Sequence, residues 1–223
     1  MYIFELLTTY QDLFIDGLGA TLFMVFVPTF FAYVFGLPLG VILTITEPGS
    51  LVPRPFLHSV LSVVVNIGRS VPFVILIVAI IPFTRAVAGT SLGPRAAVVP
   101  LVVGAIPFVA RLVETSLKEL NPGIIEAAES MGADIPKMVF GVILPESLPS
   151  LIRGVCLTAI TLVGYTAIAG VVGAGGLGDV AIRYGYHRYN TEVMMVTLVM
   201  LVVLVQIMQV VGDFLARLID KQK

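Results

Sequence analysis

The stretch Glu119–Ser150, ELNPGIIEAAESMGADIPKMVFGVILPESLPS, is the one long polar interruption in an otherwise greasy chain. Apolar runs flank it on both sides, so it must lie at a membrane surface while the runs cross the bilayer. Asn121 suits an N-cap and Pro122 a first helical position, which predicts a short helix beginning there. Gly132 fits the left-handed position that ends such a helix. Glu126 and Glu129 fall in its first two turns, where the macrodipole favours negative charge. Ile124, Ile125, Ala128 and Met131 supply apolar positions at helical spacing. Asp134 is expected to cap a second helix, with Pro136 in its first turn, running to Leu144. Pro145 and Pro149 are expected to turn the chain back into the membrane. The result is a short helix displayed at the surface, with Ala127 and Ala128 small enough for a partner to approach closely. The plainer alternative is a helical connection lying on the bilayer.

Composition agrees with a membrane setting. The 223 residues are 58% hydrophobic and only 12% charged, against roughly 25% charged in soluble domains. Mean hydropathy is +1.04. The net charge of −1 suggests neither a nucleic-acid partner nor a basic peripheral anchor. A lone cysteine, Cys156, sits in an apolar run, so it excludes an internal disulfide and reads as a small buried thiol. The N-terminal segment carries Glu5, Asp12 and Asp16 before any Lys or Arg, the reverse of a secretion signal. The uncleaved first span is therefore expected to direct its own insertion.

Five spanning helices are expected, in an all-α polytopic fold. The uncharged run Gly17–Thr46 is ample for a long, tilted first helix, and its Pro28 and Pro38 are tolerated where neighbours re-satisfy the backbone. The third span takes Ala96 to about Val113, the fourth Gly154–Gly178 and the fifth Val193–Gly212. The second span is less clean. Either one helix runs from about His58 to Ile81 with Arg69 buried, or a surface helix leads in and Arg69 snorkels at the interface. A charge near mid-membrane costs about 2.5 kcal/mol or more, which favours the second arrangement. Pro82–Pro94 reads as a loop.

Basic residues flanking the spans orient the chain. With the N-terminus outside, the cytosolic side receives Arg54, Lys118, Lys137, Arg153, Arg217, Lys221 and Lys223, and the other side Arg85, Arg95, Arg183 and Arg188. The bias is modest, but it places the polar interruption and the C-terminus in the cytosol.

Other candidate sites are weaker. Gly173, Gly175 and Gly178 satisfy G-x-G-x-x-G, yet a dinucleotide site needs a preceding strand in a βαβ unit. At the end of a membrane helix, such glycines more naturally permit a bend or a close helix contact. Thr158, Thr161 and Tyr165 form a polar stripe that could line a substrate path or make interhelical hydrogen bonds. Gln206, Gln209 and Asp213 read as an interfacial stripe, and Arg111 with Glu114 as a local ion pair. His58 and His187 stand far apart with no cluster of ligands, so no metal site is expected. No G-x-x-x-x-G-K-[ST] occurs, and any ATP must be hydrolysed by another chain.

The spacing Glu126-Ala127-Ala128, Gly132 and Ile143-Leu144-Pro145 resembles the EAA loop of ABC-importer permeases. Segments Asn66–Phe73, Ile81–Arg85, Gly89–Ser91, Gly104–Arg111 and Val172–Gly178 resemble the methionine-importer permeases, so the likeness covers about Gly17 to Leu218. The resemblance implies a type I ABC-importer permease forming one transmembrane domain over residues 1–223, with a coupling loop at 121–145. It implies a homodimer in the bacterial inner membrane and two cytosolic ATPase subunits that bind ATP and magnesium, with no cofactor in this chain. An external methionine-binding protein would deliver the cargo. The coupling motif then falls on Glu126, Ala127, Ala128, Gly132 and Pro145. Two alternatives stay open at this point. One is a permease for another small solute, such as a polar amino acid. The other is a secondary transporter or channel without an ATPase, which should show acidic residues in its spans or an inverted repeat.

Overall fold

The structure is a computed structural model describing residues 8–219; Glu5, Lys221 and Lys223 lie outside the described residues. Its regular elements there are all helices, in the order α1 (Gln11–Thr46), α2 (Pro55–Ser70), α3 (Phe73–Ala79), α4 (Ile81–Ala88), α5 (Pro94–Lys118), α6 (Pro122–Ser130), α7 (Ile135–Lys137), α8 (Leu144–Glu146), α9 (Leu148–Val171), α10 (Gly176–Val180) and α11 (Thr191–Ile219). A π-helical segment, Met138–Ile143, joins α7 to α8, and another, Ala181–Tyr186, follows α10. Among the described residues, α1, α5, α9 and α11 are each long and apolar enough to cross a membrane, and with α2 and α3, sharply bent at their junction, there are four or five candidate spans in all.

The core forms where α1 lies along α5, and glycine makes the fit possible. A Cβ on Gly36 would come within 2.7 Å of Val109, and one on Gly40 within 2.6 Å of the Ala110 carbonyl. Small residues let membrane helices approach until dispersion contacts hold them, since lipid offers no hydrophobic drive between helices. Two buried threonines of α1 are satisfied within their own helix. Thr21 and Thr29 donate to the carbonyls of Gly17 and Val25 at 2.9 and 2.7 Å, which avoids the cost of an unpaired hydroxyl. Cys156, expected as a small buried thiol, is half-buried: it sits against Gly212 and reaches the Met208 carbonyl at 3.2 Å.

Three boundaries differ from the sequence reading. The fourth span ends at Val171, because Gly173, Gly175 and Gly176 take positive φ and fold the chain back. Gly170 and Gly178 then let α10 press on α9, where a Cβ on Gly178 would lie 2.4 Å from the Ala167 Cα. These glycines thus serve a bend and a close contact. Pro82 begins no loop; it stands in the first turn of α4, where its missing N–H costs nothing. Finally, α5 continues past Val113 to Lys118 and so includes Glu114. This acid is 3% exposed, but it is paired with Arg111 at 2.5 Å and Lys118 at 3.0 Å.

The second span fits neither sequence alternative in full. Helices α2 and α3 meet at a bend of 97°. Pro72 cannot donate to a continuing helix and drives Val71 to an extended conformation, φ −75° and ψ 120°. Helix α2 does not lie apart as a lead-in: Gly68 packs on Pro107 near the middle of α5, and Arg111 bonds Ser62 at 2.5 Å and Asn66 at 3.0 Å. Arg69 is therefore level with the middle of α5 rather than with its end, and it is exposed at the break.

Candidate functional site

The interruption folds as two short helical pieces at one end of the bundle, beside the α1–α2 turn and the last residue of α11. Asn121 caps α6 by accepting from the Gly123 N–H at 2.9 Å, and Pro122 opens the helix. At the other end, the Gly132 N–H donates to the Glu129 carbonyl at 2.9 Å and the Ala133 N–H to the Ala128 carbonyl at 3.1 Å. This is a Schellman closure, and it requires the left-handed conformation that Gly132 adopts, φ +75°. Asp134 then caps α7 by accepting from the Lys137 N–H at 3.1 Å. Both caps and the closing glycine follow the sequence reading.

The faces of α6 divide its residues. Glu126, Ala127, Glu129 and Gly132 are exposed, whereas Ala128 is buried and joins Met138 and Ile143 in the core. Ala127 and Ala128 are thus split: one offers a small outer surface, the other seats the helix. Met131, expected on the apolar face, is instead 81% exposed, and Phe140 on the following segment is 73% exposed. Two large apolar side chains standing out of a polar loop are the residues that sequence reasoning missed. The signal was available in Met131, which closes the helix beside Gly132 and so leaves the buried phase.

Pro145 does not end the second helix. It lies inside α8, and the helical path runs on to Glu146 before Ser147 links it to α9. Pro145 instead lines a groove of about 790 Å³ together with Glu119, Asn121, Pro122, Glu146 and Arg153. The groove is bridged at its base. The Ser150 hydroxyl donates to the Glu119 carboxylate at 2.8 Å and stands 3.0 Å from the Ser116 hydroxyl, tying the start of α9 to the end of α5. The displayed helix is connected along the chain to α5 through Glu119–Asn121 and to α9 through residues 131–147, and its Ala128 packs with Met138 and Ile143.

The polar stripe of α9 separates into unlike parts. Thr158 is wholly buried, with its hydroxyl on the Gly154 carbonyl at 2.8 Å, and Thr161 bonds the Leu157 carbonyl at 2.8 Å. Tyr165 lines a cavity, and there it stacks on Phe73 with ring centroids 4.5 Å apart and planes 1° from parallel. On α11, Gln209 donates to Asp213 at 3.2 Å. His58 holds the Leu43 carbonyl at 3.0 Å, a structural contact between α2 and α1.

Comparison with known proteins gives this geometry a context. Residues 36–223 match the family model described as a binding-protein-dependent transport system inner membrane component. The chain is 53% identical over 210 residues to the probable D-methionine transport system permease protein MetI of Vibrio cholerae, covering 94% of this chain and 93% of that one. It is 48% identical over 181 residues to the methionine import system permease protein MetP of Bacillus subtilis, covering 81% and 82% respectively. Among solved structures, a chain of the MetNI methionine ABC transporter in inward-facing conformations superposes with a TM-score of 0.94 at 49% identity, covering 96% of this chain and 99% of that one. An amino acid ABC transporter crystallised with histidines shares the fold, with a TM-score of 0.79 at 20% identity, covering 95% and 96%.

Proposed function

The chain belongs to the family of binding-protein-dependent transport system inner membrane components, and from that premise we propose that it is the permease subunit of an ATP-driven methionine importer in a bacterial inner membrane. The single observation that carries the coupling is the form of α6. It is a short helix capped at both ends, with Glu126, Ala127 and Met131 outward and Ala128 seated inward among Met138 and Ile143, lying in the chain between α5 and α9. The cargo rests on the relatives, which are methionine permeases by name over nearly their whole length.

The permease works as a homodimer with two cytosolic ATPase subunits, which bind ATP and magnesium. The N-terminus faces outward, so that α6 and the groove above Pro145 face the cytosol. ATP binding draws the ATPase subunits together and carries α6 with them. Because α6 is tied to α5 and α9, the spans tilt between inward-open and outward-open states, and an external methionine-binding protein delivers the substrate. Glu126, Ala127 and Gly132 form the contacted tip; Ala128 and Pro145 seat it.

The test is uptake of labelled methionine into vesicles holding the purified complex. Uptake is expected only with ATP on the α6 side, and Glu126→Lys should abolish it together with ATPase co-purification while insertion stays normal. Uptake that runs equally without ATP would overturn the reading. Preference for a polar amino acid would reassign the cargo and leave the coupling intact.

A further inference from the structure

The break in the second span leaves a charged side chain where a membrane protein can least accommodate one without purpose. Arg69 stands level with the middle of α5, one residue from the Gly68–Pro107 contact. Among the described residues no carboxylate pairs with it: Glu114 is taken by Arg111 and Lys118, and Asp179 by Arg183. An ionised group at this depth costs about 2.5 kcal/mol or more, so such residues are retained for a partner or a path. Arg69 borders a cavity of about 120 Å³ whose other walls include Phe73, Gly104, Phe108 and Tyr165. That is room for several waters or a short side chain.

The cavity wall is packed around the Phe73–Tyr165 pair. Gly104 makes room for Phe73, which lies 3.5 Å from where a Cβ would stand, and Phe73 in turn is stacked on Tyr165. The kink at Pro72 turns the backbone, and Arg69 lines the same cavity as the aromatic pair. A guanidinium fork is the natural partner of a carboxylate, and an aromatic face suits a thioether, with sulfur–ring contacts worth roughly 0.3–1.5 kcal/mol. One wall is cationic and the other apolar and flat. An α-amino acid with an unbranched apolar side chain matches both.

We propose that this cavity is a substrate subsite within the permease, in which Arg69 holds the carboxylate of the transported amino acid and the Phe73–Tyr165 stack receives its side chain. This deepens the proposed function and rests on it: the subsite is where methionine pauses after leaving the binding protein. Arg69→Gln should lower methionine uptake about tenfold or more, the loss expected for a charge-assisted bidentate contact. Arg69→Lys should recover part of it, since the charge returns without the fork.

The decisive experiment uses the wild-type complex without binding protein, so that no substitution can disturb folding. A diazirine analogue of methionine is photolysed on the complex and the labelled peptides are mapped. Label is expected in 68–76 and 161–168, removed by excess methionine but not by methionine amide, which lacks the carboxylate. Label elsewhere, or equal competition by the amide, would overturn the subsite. So would wild-type uptake by Arg69→Gln in a complex from which the ATPase still co-elutes. If the unaltered complex takes up no methionine at all, the proposed function fails instead, and the two failures are separate.

Discussion

Two helix breaks define this molecule, and they are held in opposite ways. The break between α6 and α7 is made by adjacent residues, a Schellman glycine and an Asp cap, and the Asn cap at the start of α6 is equally local, all bonding within a few positions along the chain. The break between α2 and α3 begins at Pro72, but its placement depends on distant partners. Pro107 meets Gly68, Arg111 clasps Ser62 and Asn66, and Tyr165 stacks on Phe73. The first break is a local device that presents a surface. The second is a tertiary device that opens a cavity, so the two should respond differently to substitution.

The largest effect is expected where the distant partners converge. Glu114 is almost wholly buried and is the counter-charge that lets Arg111 sit in α5 while reaching across to α2. Removing one member of a buried pair strands the other, at a cost of about 3–5 kcal/mol. Glu114→Ala should therefore lower the thermal midpoint of the detergent-solubilised complex sharply and loosen α2 from α5. A midpoint within a degree or so of wild type would show that the second break is as local as the first.

Next in size is Gly132→Pro. Proline fixes φ near −65°, far from the +75° of Gly132, and removes the N–H bonded to the Glu129 carbonyl. The local cost is about 3 kcal/mol, confined to the α6 closure. Methionine uptake and ATPase retention should both be lost, with the thermal midpoint of the spans nearly unchanged. That split between function and stability is the signature of a local device. Asn121→Ala should act in the same direction but more weakly, at about 1 kcal/mol for a lost cap, and Asn121→Asp should restore the wild-type behaviour.

The same contrast explains what could be read from the chain before its structure was known. Asn121, Gly132 and Asp134 were legible because caps obey local rules and polar residues mark where the chain leaves the bilayer. Four spans were legible because long uncharged runs have few alternatives, whereas the second, bent at Pro72, was not. The fold-back after Val171 was not, since Gly173 to Gly178 is as apolar as the helix it ends, and hydropathy cannot distinguish a turn from a span. Arg69 was weighed by its cost alone, which pointed to the interface. Its depth follows from Gly68 meeting Pro107, a contact between positions far apart in sequence. In sequence Ala127 and Ala128 are equivalent small residues, and only the phase of α6 against Met138 and Ile143 separates them.

The smallest expected effect gives the comparison its lower bound. Lys118 closes the loop end by bonding Glu47 of the α1–α2 turn at 2.8 Å as well as Glu114 at 3.0 Å. Both Lys118 and Glu47 have side chains about two-fifths exposed, so water and salt screen their attraction, and such pairs contribute roughly 0–1 kcal/mol. Glu47→Gln leaves Lys118 its second partner and an amide that can still accept a hydrogen bond. Its effect on the thermal midpoint should be slight and should vanish at high salt, whereas that of Glu114→Ala should persist because its charges are shielded from the solution. Measuring both variants at low and high ionic strength therefore separates an exposed tie from the buried one that positions the second span. Equal salt sensitivity would place Glu114 in contact with water and remove the main support for a tertiary origin of the break.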